Sequence, residues 1–410
     1  MEYILNTLNN GLRTVFKPAG TESKVSHCCL IIQKGSRDEL NLQCGMAHFT
    51  EHMIFKGTKK RNSVQILRRL ENGGGDLNAF TTNEYTCIQA SFLSEHVHQA
   101  LELIADMAFN SIFPEDELEL ERGVILDEID SYQDIPEEQV FDEFDELLFP
   151  NHPLGKPVLG KKETVSAFTR DDMLDFFNMH YVPGNMILGF NGPVPIRYFN
   201  YYAKKYFEPA EQKKSAELIP APIINDSFLK RIQKPINQVH GIIGGRSVSS
   251  LHPNRTTMLL LNHILSGGMS SRLNLEIREK RGICYTIDSS YTGYSDTGIF
   301  SVYFGTEASK AEKCLHLIKK ELNLLRNKSL GTLQLQQAKQ RFKGQIALAE
   351  EHRVSLLLGI CKSIADFGKA DSLTELLAKI DGVNSSDILE LANYQFEPSH
   401  MGTLLLEPFN

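Results

Sequence analysis

The chain has 410 residues, too many for one ordinary core, so two or more domains are expected. Apolar residues make up 41% and charged residues 23%, as in globular proteins, and the net charge is −8. That charge, without a concentrated basic cluster, argues against a nucleic-acid surface. No apolar run is long enough to cross a bilayer, and the N-terminal residues lack the pattern of a signal or transit peptide, so no membrane partner is expected.

The seven cysteines are scattered, and none forms a CxxC pair. A chain of this size does not need disulfides to stabilise its fold, so reduced thiols in a cytoplasmic protein are expected. Cys28 and Cys29 are adjacent in a predicted strand, where neighbouring side chains point to opposite faces. Core packing of these two thiols is therefore favoured over a metal site.

The first half of the chain alternates predicted strands with runs of helix. Period-two alternation predicts strands at 3–8, 12–17 and 25–33, followed by helices at 46–56 and 64–71. After a glycine-rich break, two further strands are predicted at 76–82 and 85–93. Helices then follow at 95–110, 114–132, 137–148 and 171–179, and a last strand is predicted at 186–191.

The second half repeats this order. A polar segment with three prolines, 207–226, is predicted to link a catalytic domain at 1–206 to a partner domain at 227–410. The partner domain is predicted to contain strands at 239–245, 285–291, 298–306 and 401–406, with helices at 256–266, 270–280 and 308–368. Two tandem domains, each an antiparallel or mixed sheet covered by helices, indicate an α+β fold and a duplication.

The segment His48-Phe-Thr-Glu51-His52 lies within a predicted helix. Residues i and i+4 project from nearly the same face, so the two imidazoles can share one cation. Glu51 lies on that face too, where its carboxylate can reach a water molecule at the metal without binding the metal itself. This order is the HxxEH motif of the inverzincins. The alternative is a solvated helix carrying two unrelated histidines.

A catalytic zinc needs three protein ligands, and the third must come from elsewhere in the chain. Glu121 and Glu128 are seven residues apart on one predicted helix, which suits a ligand and a carboxylate that supports the ligand shell. Spacing does not choose among the acids of this helix, most of which would otherwise form an exposed acidic face: Glu117, Glu119, Glu121, Asp127, Glu128 and Asp130.

Longer motifs resemble those of a known family throughout the chain. They are HFTEHMIFKGT, ERGVILDEI, GSRDE, NAFTTNEYT, HPLGKPVLGKKETV and SGGMSSRLNLEIREKRGICYTI. Together they resemble the pitrilysin/insulinase family of zinc peptidases, in particular the short-chain branch with the mitochondrial processing peptidase and its bacterial relatives. The second half has no HxxEH motif, which matches the non-catalytic partner domain of that family.

The resemblance implies a role for each residue of the motifs. His48, His52 and Glu128 match the ligands of one Zn²⁺ per chain, Glu51 matches the general base and Glu121 the supporting carboxylate. The implied activity is that of a zinc endopeptidase, in which zinc activates water and polarises the peptide carbonyl while Glu51 moves the proton.

The predicted strand at 76–82 follows glycines and can form an exposed sheet edge, which would bind an extended peptide through main-chain hydrogen bonds. In the family the matching segment does this beside the metal, so Asn78, Ala79 and Phe80 are candidate substrate contacts. The alternative is an ordinary strand that only packs. Presequence-like or unfolded peptides are the expected substrates.

The region 115–146 carries 15 acids and one base, Arg122, which most simply predicts a solvated helix surface. Glu138 and Asp142 are nevertheless four residues apart on one helix face. Their offsets from Glu128 resemble the acidic pair that binds arginine in the processing enzymes. A preference for basic residues near the scissile bond follows from that resemblance.

Arg278 and Tyr285 match, by their spacing, the family pair that binds the substrate backbone and stabilises the developing oxyanion. The alternative places Arg278 in a surface ion pair and Tyr285 in the core. In the family a closed chamber takes four such domains, and this chain supplies two. A homodimer is therefore expected, in which Arg278 and Tyr285 of one subunit complete the zinc site of the other.

The sequence also bears on two other functions. Residues 155–162 fall one residue short of a phosphate-binding loop, and Lys162 stands where serine or threonine would bind magnesium, which argues against a nucleotide-binding protein. The second is a non-catalytic assembly subunit on the same fold. Such subunits lose the metal motif, whereas both histidines and both glutamates are present here.

Overall fold

The computed structural model describes residues 3–40, 42–212, 220–221 and 227–409. The strands are β1 Ile4–Thr7, β2 Arg13–Pro18, β3 Val25–Ile32, β4 Asp76–Thr81, β5 Thr86–Leu93, β6 Met186–Gly192, β7 Leu229–Lys234, β8 Val239–Ser247, β9 Thr286–Gly293, β10 Gly298–Thr306 and β11 Gly402–Pro408.

The first eight α-helices are α1 Met46–Met53, α2 Ser63–Glu71, α3 Val97–Asn110, α4 Glu115–Gln133, α5 Pro136–Leu148, α6 Lys162–Ala167, α7 Arg170–His180 and α8 Ile196–Phe207. They are followed by α9 Arg255–Ser266, α10 Ala311–Asn327, α11 Thr332–Ala349, α12 Arg353–Phe367, α13 Leu373–Gly382 and α14 Ser385–Gln395. A π-helix, Asn274–Glu279, lies between α9 and β9.

Contacts within the chain define two compact units, neither of them continuous in sequence. Unit 1 comprises the described residues of Met1–Ser131, Lys156–Ile219 and Ala349–Ala370, and unit 2 those of Tyr132–Gly155, Pro220–Leu348 and Asp371–Asn410. Helix α5 thus belongs to unit 2 and helix α12 to unit 1. The division at 207–226 stays a prediction, and most of that linker, 213–219 and 222–226, lies outside the described residues.

Unit 1 is built on a six-stranded sheet in the order β1-β2-β6-β3-β5-β4. The β2–β6 pair is parallel and the other pairs are antiparallel. Alternate residues of β3 face opposite sides: Leu30 packs into the core with α1 and α3, and Ile31 packs against α12. Strand β4 is at the edge of the sheet, so one row of its backbone groups has no partner strand.

Unit 2 is built on a five-stranded sheet in the order β7-β11-β8-β10-β9. The β7–β11 pair is parallel and the others are antiparallel, and β9 is at the edge. One face carries the core with α9, α10 and α14, and the other packs on α5 through Val140, Phe144 and Leu148. The predicted α+β class, with two mixed sheets covered by helices, is confirmed.

Some elements differ from the prediction. Helix α8 was not predicted, because its sequence IRYFNYYAKKYF is rich in aromatic residues, which favour strands. Its buried residues Phe199, Ala203 and Phe207 nevertheless recur every four positions, as on one helix face. The predicted helix at 270–280 contains the π-helix, and the single long helix predicted at 308–368 is divided into α10, α11 and α12.

All seven cysteines are described, free and buried. Cys28 packs into the core of unit 1 beside the helices, and Cys29 packs on the opposite face beside Cys361, with the two sulfurs 3.8 Å apart. The predicted core packing of the adjacent thiols is confirmed. In the described part of the chain, no helix combines the length and the apolar character that a membrane span needs.

Candidate metal centre

Helix α1 is short, and its N-terminus is tightly held. Gly45 precedes the helix with φ of 95°, a left-handed conformation that favours glycine. A Cβ atom there would lie 2.7 Å from Cα of Gly160. The carboxylate of Glu39 accepts hydrogen bonds from the backbone N–H groups of Gly45 and Ala47, at 3.0 and 2.8 Å. This contact satisfies two of the free donors at the helix start and fixes the position of α1.

Within α1, His48 and His52 lie one turn apart with ring centroids separated by 4.5 Å. Oε2 of Glu128, on α4, lies 3.9 Å from Nε2 of His48 and 3.8 Å from Nε2 of His52. One ligand atom from each residue falls within 4.8 Å of the others. The structure therefore brings together the three residues that the sequence singled out as metal ligands.

Glu121 is separated from this cluster by the imidazole ring of His52. Nδ1 of His52 donates to Oε1 of Glu121 at 2.8 Å, and Nζ of Lys56 pairs with the other carboxylate oxygen. Burial alone lowers the pKa of His52, but Glu121, Glu51 and Glu128 outweigh it and raise the pKa. With Nδ1 engaged by Glu121, Nε2 is the ring atom that faces Glu128 and the cluster, and it would serve as the ligand atom once a metal displaces its proton.

Glu51 lies on the same face of α1 and is only 8% exposed. Burial raises its pKa, against the opposing effects of His52 and of a hydrogen bond from Thr81. In that bond Oγ1 of Thr81, the last residue of β4, donates to Oε2 of Glu51 at 3.2 Å. A buried carboxylate with a raised pKa, beside a ligand cluster, is suited to accept and return a proton.

Arg122 holds α4 against the rest of unit 1. Its guanidinium donates to the backbone carbonyls of Val165 and Phe168, the latter at 2.8 Å, and lies 5.7 Å from the ring centre of Phe49 on α1. The one base of the acidic region thus positions the helix that carries Glu121 and Glu128.

The residues of the cluster fit a zinc ion. Burial, and then His52, lower the pKa of His48 to about 3, so its imidazole stays neutral and offers a lone pair. Its buried Nδ1 has no hydrogen-bond partner among the described residues. Two imidazole nitrogens and one carboxylate oxygen are the donor set of many catalytic zinc sites.

The predicted substrate contacts Asn78, Ala79 and Phe80 lie in β4. They pair with β5 on one side only, in the register Asn78 to Gln89, Ala79 to Ile88 and Phe80 to Cys87. Ala79 faces the helix side with Leu77, and Phe80 faces the other side, where its ring meets that of Tyr85. The structure therefore places these residues on an open strand edge whose end contacts Glu51.

Glu138 and Asp142 lie one turn apart on α5, in unit 2. Burial first, and then Glu138, Glu143 and Glu146, raise the pKa of Asp142 to about 6. The hydroxyl of Tyr132 donates to Glu138 at 3.0 Å. The two acids share a helix face, and their role in binding arginine stays a prediction.

Arg278 and Tyr285 are also in unit 2, at the end of the π-helix and just before edge strand β9. Both are exposed, Tyr285 by 54%, so neither packs in the core. The Tyr285 hydroxyl donates to Glu307 at 2.7 Å. A π-helix often marks a functional site, and both side chains are accessible to a ligand.

Thr81 and Lys56 were not identified from the sequence as residues of the site. Both contacts join residues distant along the chain: Thr81 is 30 residues from Glu51, and Lys56 is 65 from Glu121. The alternation of β4 was the available signal for Thr81, because it places Thr81 on the same face as Ala79. Lys56 follows His52 by four positions, so helix spacing over the predicted helix 46–56 places it on the face that carries His52.

Comparisons with known proteins agree with this geometry. Residues 15–162 match the insulinase (peptidase family M16) domain, and residues 167–342 match the peptidase M16 inactive domain. The chain is 32% identical to the uncharacterized zinc protease YmxG of Bacillus subtilis, over 97% of both proteins. It is 34% identical to an uncharacterized zinc protease of Rickettsia felis, over 90% of this chain and 89% of that protein.

Solved structures show the same fold. A protease from Helicobacter pylori superposes with a TM-score of 0.92 at 21% identity, over 99% of both chains. A Pseudomonas fluorescens structure, described as a peptidase M16 inactive domain, superposes with a TM-score of 0.90 at 20% identity, over 100% of this chain and 99% of that one. The motifs, the histidine–glutamate cluster and these relatives together show that the chain belongs to the insulinase family of peptidases, family M16.

Proposed function

We propose that the protein is a zinc endopeptidase that cleaves peptides bound in an extended conformation. One observation carries this proposal: Nε2 of His48, Nε2 of His52 and Oε2 of Glu128 converge beside the buried carboxylate of Glu51. An assembly subunit without activity has no need of this arrangement. The names of the relatives, which describe zinc proteases, support the choice of metal.

In this proposal His48, His52 and Glu128 hold one Zn²⁺ per chain. When bound, zinc supplies Lewis acidity, which makes water a nucleophile near neutral pH and polarises a peptide carbonyl. Glu51 takes a proton from the attacking water and passes it to the leaving amine. Glu121 keeps the proton of His52 on Nδ1, so Nε2 stays available as a ligand, and Lys56 holds Glu121 in place.

Strand β4 binds the substrate. Its free edge offers backbone N–H and C=O groups to an extended peptide, which gives affinity with little sequence preference. Because Thr81, at the end of β4, contacts Glu51, a peptide lying along residues 78–80 passes close to the base. Unfolded or presequence-like peptides, which expose their backbone, are the substrates of this proposal.

The complete site includes Arg278 and Tyr285 of a second copy of the chain. Both side chains are exposed, and a guanidinium and a phenol are suitable donors to a developing oxyanion. The active form is then a homodimer. Glu138 and Asp142 give this enzyme a preference for arginine or lysine near the scissile bond.

We place the enzyme in the cytoplasm because its thiols are reduced. All seven cysteines are free, including Cys29 and Cys361, whose sulfurs lie in contact without a bond. Such pairs persist as thiols in a reducing compartment.

The proposal is tested by incubating the purified protein with a defined peptide mixture, with and without a chelator, and reading the products by mass spectrometry. We expect one zinc per chain, chelator-sensitive cleavage and recovery on adding zinc. Glu128→Gln should lose both zinc and activity, whereas Glu115→Gln, an exposed change at the start of the same helix, should lose neither. A zinc-loaded wild-type protein that cleaves no peptide would favour the assembly subunit.

A further inference from the structure

The turn between β4 and β5 is held by a segment from elsewhere in the sequence, Gly35–Glu39. The backbone N–H of Ser36 donates to the carbonyl of Thr82 at 3.1 Å, and that of Arg37 donates to the carbonyl of Asn83 at 2.8 Å. Gly35 lies so close that a Cβ atom would be 2.2 Å from the carbonyl oxygen of Thr82. The segment thus contacts the turn immediately after Thr81.

A buried ion pair strengthens this contact. The Arg37 side chain is fully buried, and its Nη1 donates to Oε1 of Glu84, in the turn, at 2.7 Å. A buried arginine is costly to hold in a fold unless it is paired, so the position of Glu84 is strongly determined. The turn, and with it the end of β4, is therefore held firmly in one place.

The same segment also holds helix α1. Two residues after Arg37, Glu39 accepts hydrogen bonds from the backbone of Gly45 and Ala47 at the start of α1. One five-residue segment is therefore bonded both to the helix that carries Glu51 and to the turn that follows Thr81. These two elements meet in the hydrogen bond from Thr81 to Glu51.

We propose that Thr81 is a positioning residue for Glu51, and that the Arg37–Glu84 pair acts on catalysis by holding Thr81 in place. This inference rests on the proposed function, because it assigns Glu51 as the base. The Thr81 hydroxyl occupies Oε2 of Glu51 and leaves Oε1 free to exchange a proton. A hydrogen bond to one oxygen fixes the rotation of the carboxylate, which is what a general base needs to meet its substrate.

The first test replaces Thr81 with residues of similar size. Thr81→Val removes the hydroxyl and should lower kcat by about 10- to 100-fold, the range for one hydrogen bond to a charged group. KM and zinc content should stay unchanged, as should the affinity of the zinc-free protein for a peptide. Thr81→Ser keeps the hydroxyl and should retain kcat within about threefold. Thr292→Val, the same change at an exposed position of edge strand β9, is the matched control and should have no effect.

Other outcomes contradict the inference in distinct ways. If Thr81→Val keeps the wild-type kcat, Thr81 does not position Glu51. A raised KM with unchanged kcat makes Thr81 a substrate contact instead. Loss of zinc, or of folding as seen by circular dichroism, assigns it a structural role.

The second test measures coupling between Thr81 and the ion pair. Glu84→Gln, which keeps the shape of the side chain, should lower kcat in the wild-type background. In the Thr81→Val background it should have little further effect, because the contact it supports is already absent. Additive losses in the double variant would overturn the role of Arg37 and Glu84. Failure of the zinc-loaded wild type to cleave any peptide would contradict the proposed function itself, whereas a fully active Thr81→Val contradicts only this inference.

Discussion

The two sheets of the molecule share one topology but differ in chemistry. Apart from the additional outer strand β1, the sheet of unit 1 has the order β2-β6-β3-β5-β4, which begins with a parallel pair and ends on an edge strand. In unit 2 the order β7-β11-β8-β10-β9 does the same. A helix follows the central strand in each: α1 after β3, and α9 after β8. The repeated element order predicted from the sequence is thus visible in the strand connections.

The corresponding helices carry different side chains. Helix α1 presents His48, Glu51 and His52, whereas α9 has one histidine, His263, which is buried and packs against the ring of Phe342. Each helix also contacts its edge strand through a hydroxyl. Thr81 of β4 donates to the carboxylate Glu51, and Ser289 of β9 donates to the amide oxygen of Asn262 at 2.8 Å.

The shared fold therefore does not by itself make the site. A hydroxyl of the edge strand donates to an acid in unit 1 and to a neutral amide in unit 2, at different positions along the two strands. An amide neither accepts a proton near neutral pH nor returns one, so the contact in unit 2 can only hold the structure together. The catalytic chemistry proposed for unit 1 depends on a few side chains added to a shared framework.

The largest effect is expected from giving α1 an amide in place of its carboxylate. Glu51→Gln should keep its zinc and lose about 10²- to 10⁴-fold in kcat, the usual contribution of a general base. The measurement is peptide hydrolysis together with zinc content, in metal-loaded protein. Turnover close to that of wild type in a clean preparation would refute the role of Glu51 as the base.

The next largest effect tests whether unit 2 contributes chemistry across a dimer. Arg278→Ala/Tyr285→Phe should lower kcat by about 10²- to 10³-fold, the loss expected for donors to an oxyanion. If the pair acts on the partner's site, co-refolding this variant with Glu51→Gln should restore about a quarter of the wild-type activity, because mixed dimers have one intact site. If the pair acts within its own subunit, no activity returns. An active enzyme that sediments as a monomer at assay concentration also contradicts the proposal.

A smaller effect is expected at Glu121, which supports a ligand without being one. Glu121→Gln should weaken zinc affinity by about 10- to 100-fold, because His52 loses the carboxylate that orients its ring. Competition with a chromogenic chelator measures this affinity directly. Glu115→Gln, at an exposed position six residues earlier on α4, is the control and should bind zinc as wild type does. Unchanged zinc affinity in Glu121→Gln would show that Glu121 pairs with Lys56 but does not support His52 as a ligand.

Much of this site could be predicted from the sequence because its main signals are local. His48, Glu51 and His52 lie within one helical turn, and helix period alone places them on one face. The choice of Glu128 over its acidic neighbours came from family resemblance, since seven-residue spacing left Glu121 equally suitable. The contact between Thr81 and Glu51 depends on how a strand edge packs on a helix, which spacing does not encode. Helix α5 comes from the first half of the chain but belongs to unit 2, and α12 comes from the second half but belongs to unit 1. This assignment also depends on tertiary packing.

The smallest effect is expected at Asp142. It tests whether the acidic face of α5 binds substrate or is an ordinary acidic surface. Its folded pKa of about 6 is higher than the ordinary value of 3.8, so this carboxyl makes the folded state progressively less stable between about pH 4 and about pH 6, with no further change above that range. Asp142→Asn should therefore raise the melting temperature at pH 8 and leave it nearly unchanged at pH 4. If the charge binds substrate, the ratio of kcat/KM for an arginine peptide to that for its norleucine analogue should rise about 3- to 10-fold as the pH passes through 6, and Asp142→Asn should abolish the rise. The ratio cancels the pH dependence of catalysis itself. A stabilised variant with an unchanged ratio would show that the acidic face of α5 has no part in choosing the substrate.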